Sequence, residues 1–128
     1  DVAIINHYYY GKLTYSKNPD HRKWAKASII VFPNQGSSDR GAHVNISGGG
    51  VVKFSKNKES ATKFLEFLVT DEAQVLYGDV NFEYPINNKS KLPKRLKALG
   101  TFKEDSLLIE DIAKLAPKAQ EIIDTVYW

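Results

Sequence analysis

Residues 6–11, NHYYYG, place three phenols in succession directly after the apolar run VAII at 2–5. A phenol is a weak acid with an ordinary pKa near 10, and once it gives up its proton it becomes a hard, negatively charged oxygen donor. Two such oxygens meeting at one point suit a hard, highly charged cation able to pull the protons off. Neighbouring side chains seldom converge in this way. In a strand they point to opposite faces, and on a helix they lie about 100° apart. At a strand-to-helix junction the backbone changes direction, and Tyr8 and Tyr9 can reach one point.

Packing alone offers a competing account, because aromatic side chains bury large areas and tyrosine accepts a half-wet environment. Position weighs against it. In open α/β sheets ligands bind beyond the carboxyl ends of strands, where the first N–H groups of the next helix are free to hold an anion. Asn6 would stand on that rim with an amide able to add a hydrogen bond. Phenols beside an anion site make ferric iron the leading candidate ligand.

The elements that must position these residues can be read in order. VAIIN (2–6) predicts a short buried strand, and HYYYGKLTYS (7–16) a helix with Tyr9 and Leu13 at i, i+4. NPD (18–20) interrupts, and Asp20 is expected to cap a helix HRKWAKA with Trp24 as its core anchor. SIIVFP (28–33) and the alternating HVNIS (43–47) read as strands around a loop at 34–43. Asn57 is a cap candidate for a helix whose stripe is Ala61, Phe64, Leu65 and Leu68, and Thr70 with Asp71 and Glu72 opens another. NFEYPIN (81–87) is expected to be extended because Pro85 restricts the residue before it. LPKRLKAL (92–99) is a short helix stopped by Gly100. Pro117 is placed at the first position of a terminal helix carrying Ala119, Ile122, Ile123 and Val126. Strands and helices mix without a repeat, so the fold class is α/β.

Composition narrows the functions. The chain has 128 residues, 42% hydrophobic and 26% charged, and no apolar run approaches the roughly 20 residues that a membrane-spanning helix needs. Cysteine is absent, which removes thiolate metal sites, disulfides and cysteine nucleophiles. The chain opens on Asp1 and contains no methionine, so it reads as an internal fragment or a trimmed product. The net charge of +3 is concentrated around Lys89, Lys91, Lys94, Arg95 and Lys97. A nucleic-acid binder calls for a broader basic stripe, so a solvated basic face is preferred and no nucleic-acid partner is expected.

Other motifs carry less. SGGGVVK (47–53) lacks both the Gly-Lys-Ser/Thr of a Walker loop and a dinucleotide spacing, and marks a place where the backbone bends or is closely approached. His7, His21 and His43 show no paired-ligand spacing and read as surface or capping residues. Ser37 and Ser38 lack a nucleophile elbow. With no nucleophile set beside a base, no enzymatic activity is expected.

DVAIINHYYYGKL, GAHVNISGGGVVKFSKNKESATKFLEFLVTDEAQ and NFEYPIN together resemble, in order and through most of the chain, the periplasmic ferric-iron-binding proteins of bacterial ABC transporters. The resemblance implies a two-lobed α/β solute-binding protein of the periplasmic-binding-protein-like II class, with this chain as its C-terminal portion. It implies that Tyr8 and Tyr9 ligate Fe(3+) as tyrosinates. Asn6 would help hold a synergistic anion, carbonate, phosphate or similar. Tyr10 falls where members vary and is assigned to packing. The family's remaining protein ligands lie before the tyrosine pair, outside this chain.

The same resemblance places residues 1–39 and 88–128 in one lobe and 40–87 in the other. It implies a periplasmic location, an ABC transporter permease as partner, and either the missing N-terminal part or self-association to complete the fold. Type II proteins also carry polyamines, thiamine, sulfate or sugars, and a tyrosine pair could stack on such a ligand instead.

Overall fold

The structure is a computed structural model that describes residues 1–87 and 89–127. Its order is α1 (His7–Thr14), α2 (Pro19–Lys26), α3 (Lys58–Leu68), α4 (Asp71–Asn81), α5 (Lys94–Lys97) and α6 (Ile109–Thr125). The chain divides into two compact units, Asp1–Val31 with Ile46–Thr101, and Phe32–Asn45 with Phe102–Trp128.

In the first unit, α1 begins where sequence placed it and ends at Thr14, whose hydroxyl turns back to the Tyr10 carbonyl at 2.8 Å. The cap of α2 is Asn18 rather than Asp20. Pro19 takes the first helical position, where its missing N–H costs nothing, and the Asn18 side chain accepts from the Asp20 N–H at 2.9 Å. Trp24 is 55% exposed and does not anchor the helix; Ala25 is the buried residue. The small side chain lets α2 lie close to α1, and the Tyr10 hydroxyl reaches the carbonyls of Ala25 and Ser28 at 3.4 and 3.3 Å.

α3 starts after Asn57 without a side-chain cap, and Ala61, Leu65 and Leu68 are half-buried while Phe64 stays exposed. Thr70 caps α4 as its sequence predicts, accepting from the Ala73 N–H. Buried Gln74 then bonds the Leu68 carbonyl at 2.7 Å and the Ile86 N–H at 2.9 Å, tying the end of α3 and the 82–86 segment to α4. Phe82 ends α4 at φ 62° and turns its ring inward. With Leu96 and Leu99 it forms the core, against which Tyr8, Tyr10, Tyr84 and Leu92 pack.

Gly11 is the contact through which α1 meets this core. A Cβ there would lie 2.5 Å from the Phe82 ring, which cannot yield because it is itself buried. Gly11→Ala is therefore expected to cost about 1–3 kcal/mol by overpacking and to push α1 off Phe82. Chemical denaturation of the full-length protein measures it. An unchanged midpoint would refute the packing described.

The second unit is held by polar links. Gly41 has φ 101°, and its backbone comes so near Glu104 that a Cβ would sit 2.3 Å from that carbonyl oxygen. Ala42 and Glu104 make an isolated parallel bridge, with Ala42 N–H to Lys103 O and Asp105 N–H to Ala42 O both at 2.9 Å. Arg40 pairs with Asp105 at 2.7 Å, and that hydrogen bond holds the carboxyl below its ordinary range. α6 begins eight residues before Pro117, at Ile109, so Pro117 lies inside it rather than at its start. The acids Glu110 and Asp111 suit that earlier N-terminus. Ile122 and Val126 remain exposed.

The three predicted strands are not ladders. Among the described residues the bridge at Ala42 is the one β pairing, and Val2, Ile4, Ile29 and Val31 are 96, 80, 85 and 71% exposed. A strand needs a neighbour to take its backbone groups, and among the described residues none pairs with 2–6 or 28–31. The glycines 48–50 are exposed, form no assigned turn and take no positive φ; a Cβ on Gly49 would meet Leu65 at 3.1 Å.

Candidate metal centre

Asn6, Tyr8 and Tyr9 come together at the start of α1. The N-cap Asn6 is extended, at φ −72° and ψ 135°, and its carbonyl accepts the Tyr9 N–H at 3.1 Å. Its side chain does not cap the helix. The amide instead donates to the Tyr8 hydroxyl at 3.4 Å. The ring centroids of Tyr8 and Tyr9 lie 4.4 Å apart at 44°, so two adjacent residues do present both phenols to one region. The change from extended to helical backbone at Asn6 makes that convergence possible.

The two rings are supported differently. Tyr8 rests on the Phe82–Leu96–Leu99 core and has the Lys12 ammonium 5.1 Å from its ring centroid, one helical turn on. Tyr9 is 51% exposed. Tyr8 is held above its ordinary 10.0, chiefly by the hydrogen bond with Tyr9, then by desolvation and by the charge of Tyr9; Asn6 opposes this and Glu83 adds to it. The Tyr8 phenol therefore resists ionising unless a cation arrives. The first turn of α1 contains no acidic residue and no side-chain cap, so apart from the Tyr9 N–H, which the Asn6 carbonyl takes, its N–H end faces no competing negative group and suits an anion.

Two residues near the pair carried no spacing signal. His7 is half-buried rather than a surface or capping residue: its Nε2–H donates to the Phe82 carbonyl at 2.6 Å, and its ring stands 5.0 Å from Tyr84. Glu83 follows Phe82, and the Ser47 hydroxyl donates to its Oε2 at 2.9 Å. Both depend on contacts between segments far apart in sequence. Elsewhere, His21 bonds Ser16 at 3.1 Å and His43 is exposed. No group of three or more His, Cys, Asp or Glu gathers among the described residues.

Comparison with known proteins agrees in sequence and in structure. The chain is 38% identical over all 128 residues to iron uptake protein A2 of Synechocystis and spans 37% of that protein's length. A ferric binding protein from Campylobacter jejuni matches with a TM-score of 0.84 and 42% identity, over 96% of this chain and 38% of that one. A Trichodesmium protein (IdiA, FutA), solved in complex with iron and citrate ligands, matches with a TM-score of 0.86 and 44% identity, over 97% of this chain and 39% of that one. No family model matches the chain. Over nearly all of its length, then, the chain is a homologue of part of the iron uptake and ferric-binding proteins, and the fold it shares with them is that of the type II periplasmic solute-binding proteins.

Proposed function

We propose that the full-length protein carrying this sequence binds ferric iron through Tyr8 and Tyr9 as tyrosinates, in the periplasm, for delivery to the permease of an ABC importer. Asn6 and the open first turn of α1 would hold the synergistic anion, carbonate, phosphate or similar. The observation that carries this reading is the convergence of two adjacent phenols beside an uncapped helix N-terminus. Names of homologous proteins support the cargo. The role is capture and transport, not catalysis. From the family resemblance we assign residues 1–39 and 88–128 to one lobe of the full-length protein and 40–87 to the other.

The reading fixes the sign of a pH dependence. Tyr8 is raised above 10.0, so without metal its phenol keeps its proton through the neutral range. Iron must displace that proton and the one on Tyr9, and affinity falls as the solution is acidified, by about a hundredfold per pH unit for two protons released. Competition titrations followed by the visible tyrosinate-to-iron band would show it. An affinity flat from neutral to mildly acid pH, with anion protonation controlled, would exclude tyrosinate ligation.

A further inference from the structure

The 82–84 segment is pinned beside the tyrosine pair. The Phe82 carbonyl accepts from His7, the residue before Tyr8, and the Tyr84 ring lies against the same imidazole. Tyr84 is fixed in turn by its hydroxyl, which donates to the Gly100 carbonyl at 2.7 Å. Glu83 sits between these anchors, half-buried, with Ser47 holding one carboxylate oxygen. A hydroxyl positions a carboxylate without neutralising it. Among the described residues no ion pair engages Glu83, so its charge is left to act on its surroundings.

Accepting Tyr8 and Tyr9 as the ferric ligands, on which this step rests, we propose that Glu83 is a specificity-determining residue of that site: its carboxylate, held in place by Ser47, limits the negative charge that the accompanying anion can carry. Charge counting gives the reason. A trivalent cation on two phenolates leaves one net positive charge, which a nearby carboxylate attracts. Donors from the rest of the full-length protein add the same charge whichever anion is bound, so the difference between anions is their own charge, and each further negative charge is repelled by Glu83. The carboxylate is brought near the pair by its neighbours: the Phe82 carbonyl and the Tyr84 ring both meet His7, and Tyr8 packs on the same Phe82 core. The site is thereby biased towards a weakly charged anion.

The test compares the full-length protein with its Glu83→Gln variant, since the amide keeps the shape and can still accept from Ser47. Each is loaded with ferric iron in the presence of bicarbonate, phosphate or citrate, at one pH and low ionic strength, and affinity is read from the visible band under chelator competition. The intrinsic chelating strength of each anion cancels in the variant-to-parent ratio. That ratio should rise by roughly threefold to tenfold per unit of anion charge and shrink in high salt. If both proteins show the band with the same ratio for every anion, the Glu83 proposal is overturned and the tyrosinate reading stands. If neither shows a band with any anion, the tyrosinate reading fails and takes the proposal with it. Should Glu83→Gln not fold, Ser47→Ala, which frees the carboxylate but keeps it, is scored the same way: a partial rise supports the proposal, and a parental ratio overturns it.

Discussion

Replacing Tyr8 and Tyr9 together by phenylalanine removes the visible band of the iron-loaded full-length protein and leaves the protein folded. Phenylalanine keeps the ring that Tyr8 rests on the Phe82–Leu96–Leu99 core and loses only the oxygen. The hydrogen bonds forfeited are the exposed 3.4 Å contact from Asn6 and the one between the two phenols themselves, so little stability goes with them. Substituting groups that merely orient a metal ligand typically costs ten- to a hundredfold in affinity, and removing two ligands should cost about a hundredfold at least. Near-ultraviolet and far-ultraviolet circular dichroism establish folding, and a ferric titration establishes the loss. Each single variant should retain a weaker, shifted band. A double variant that binds iron with the parental band would show that the phenols are not the donors.

What made this site legible in sequence was local. The strand-like run, the N-cap and the first helical turn are consecutive, so Asn6, Tyr8 and Tyr9 could be brought together without knowing any long-range contact. The same holds for the Thr70 cap of α4 and for the helix after Asn57, whose stripe is half-buried at Ala61, Leu65 and Leu68 though not at Phe64. Glu83 and His7 were hidden for the opposite reason. Their environment is set by Ser47 and by Phe82, residues 36 and 75 positions away, which periodicity does not register. Trp24 was misplaced because apolar size is a weaker guide than the space available: the α1–α2 approach leaves room for Ala25 and turns the indole outward. Pro117 was misread because proline punctuates helices on average, yet the acids at 110 and 111 and the apolar residues before it outweigh one missing hydrogen bond. The predicted strands form no ladder among the described residues, because a strand requires a neighbour to pair with.

That last feature leads to the second large effect. The 128-residue chain alone is expected to bind ferric iron weakly or not at all, while the full-length protein binds it tightly. The chain spans 37% of the length of the Synechocystis relative, and its exposed runs at Val2, Ile4, Ile29 and Val31 are the surfaces that further strands would cover. Two phenolates and an anion leave a six-coordinate hard cation short of donors, and no cluster of His, Asp or Glu among the described residues makes up the number. Closure of one lobe on the other would also exclude water and hold the donors in place, an ordering that a partial site has to achieve at an entropic cost. Titrating ferric citrate into the purified chain and into the full-length protein at matched pH gives the comparison. The affinity should be lower for the chain by at least the roughly hundredfold that losing ligands implies. Equal affinities, with sedimentation showing a self-associated chain, would mean that a second copy supplies the missing donors, and the ligands would then have to be sought within these 128 residues.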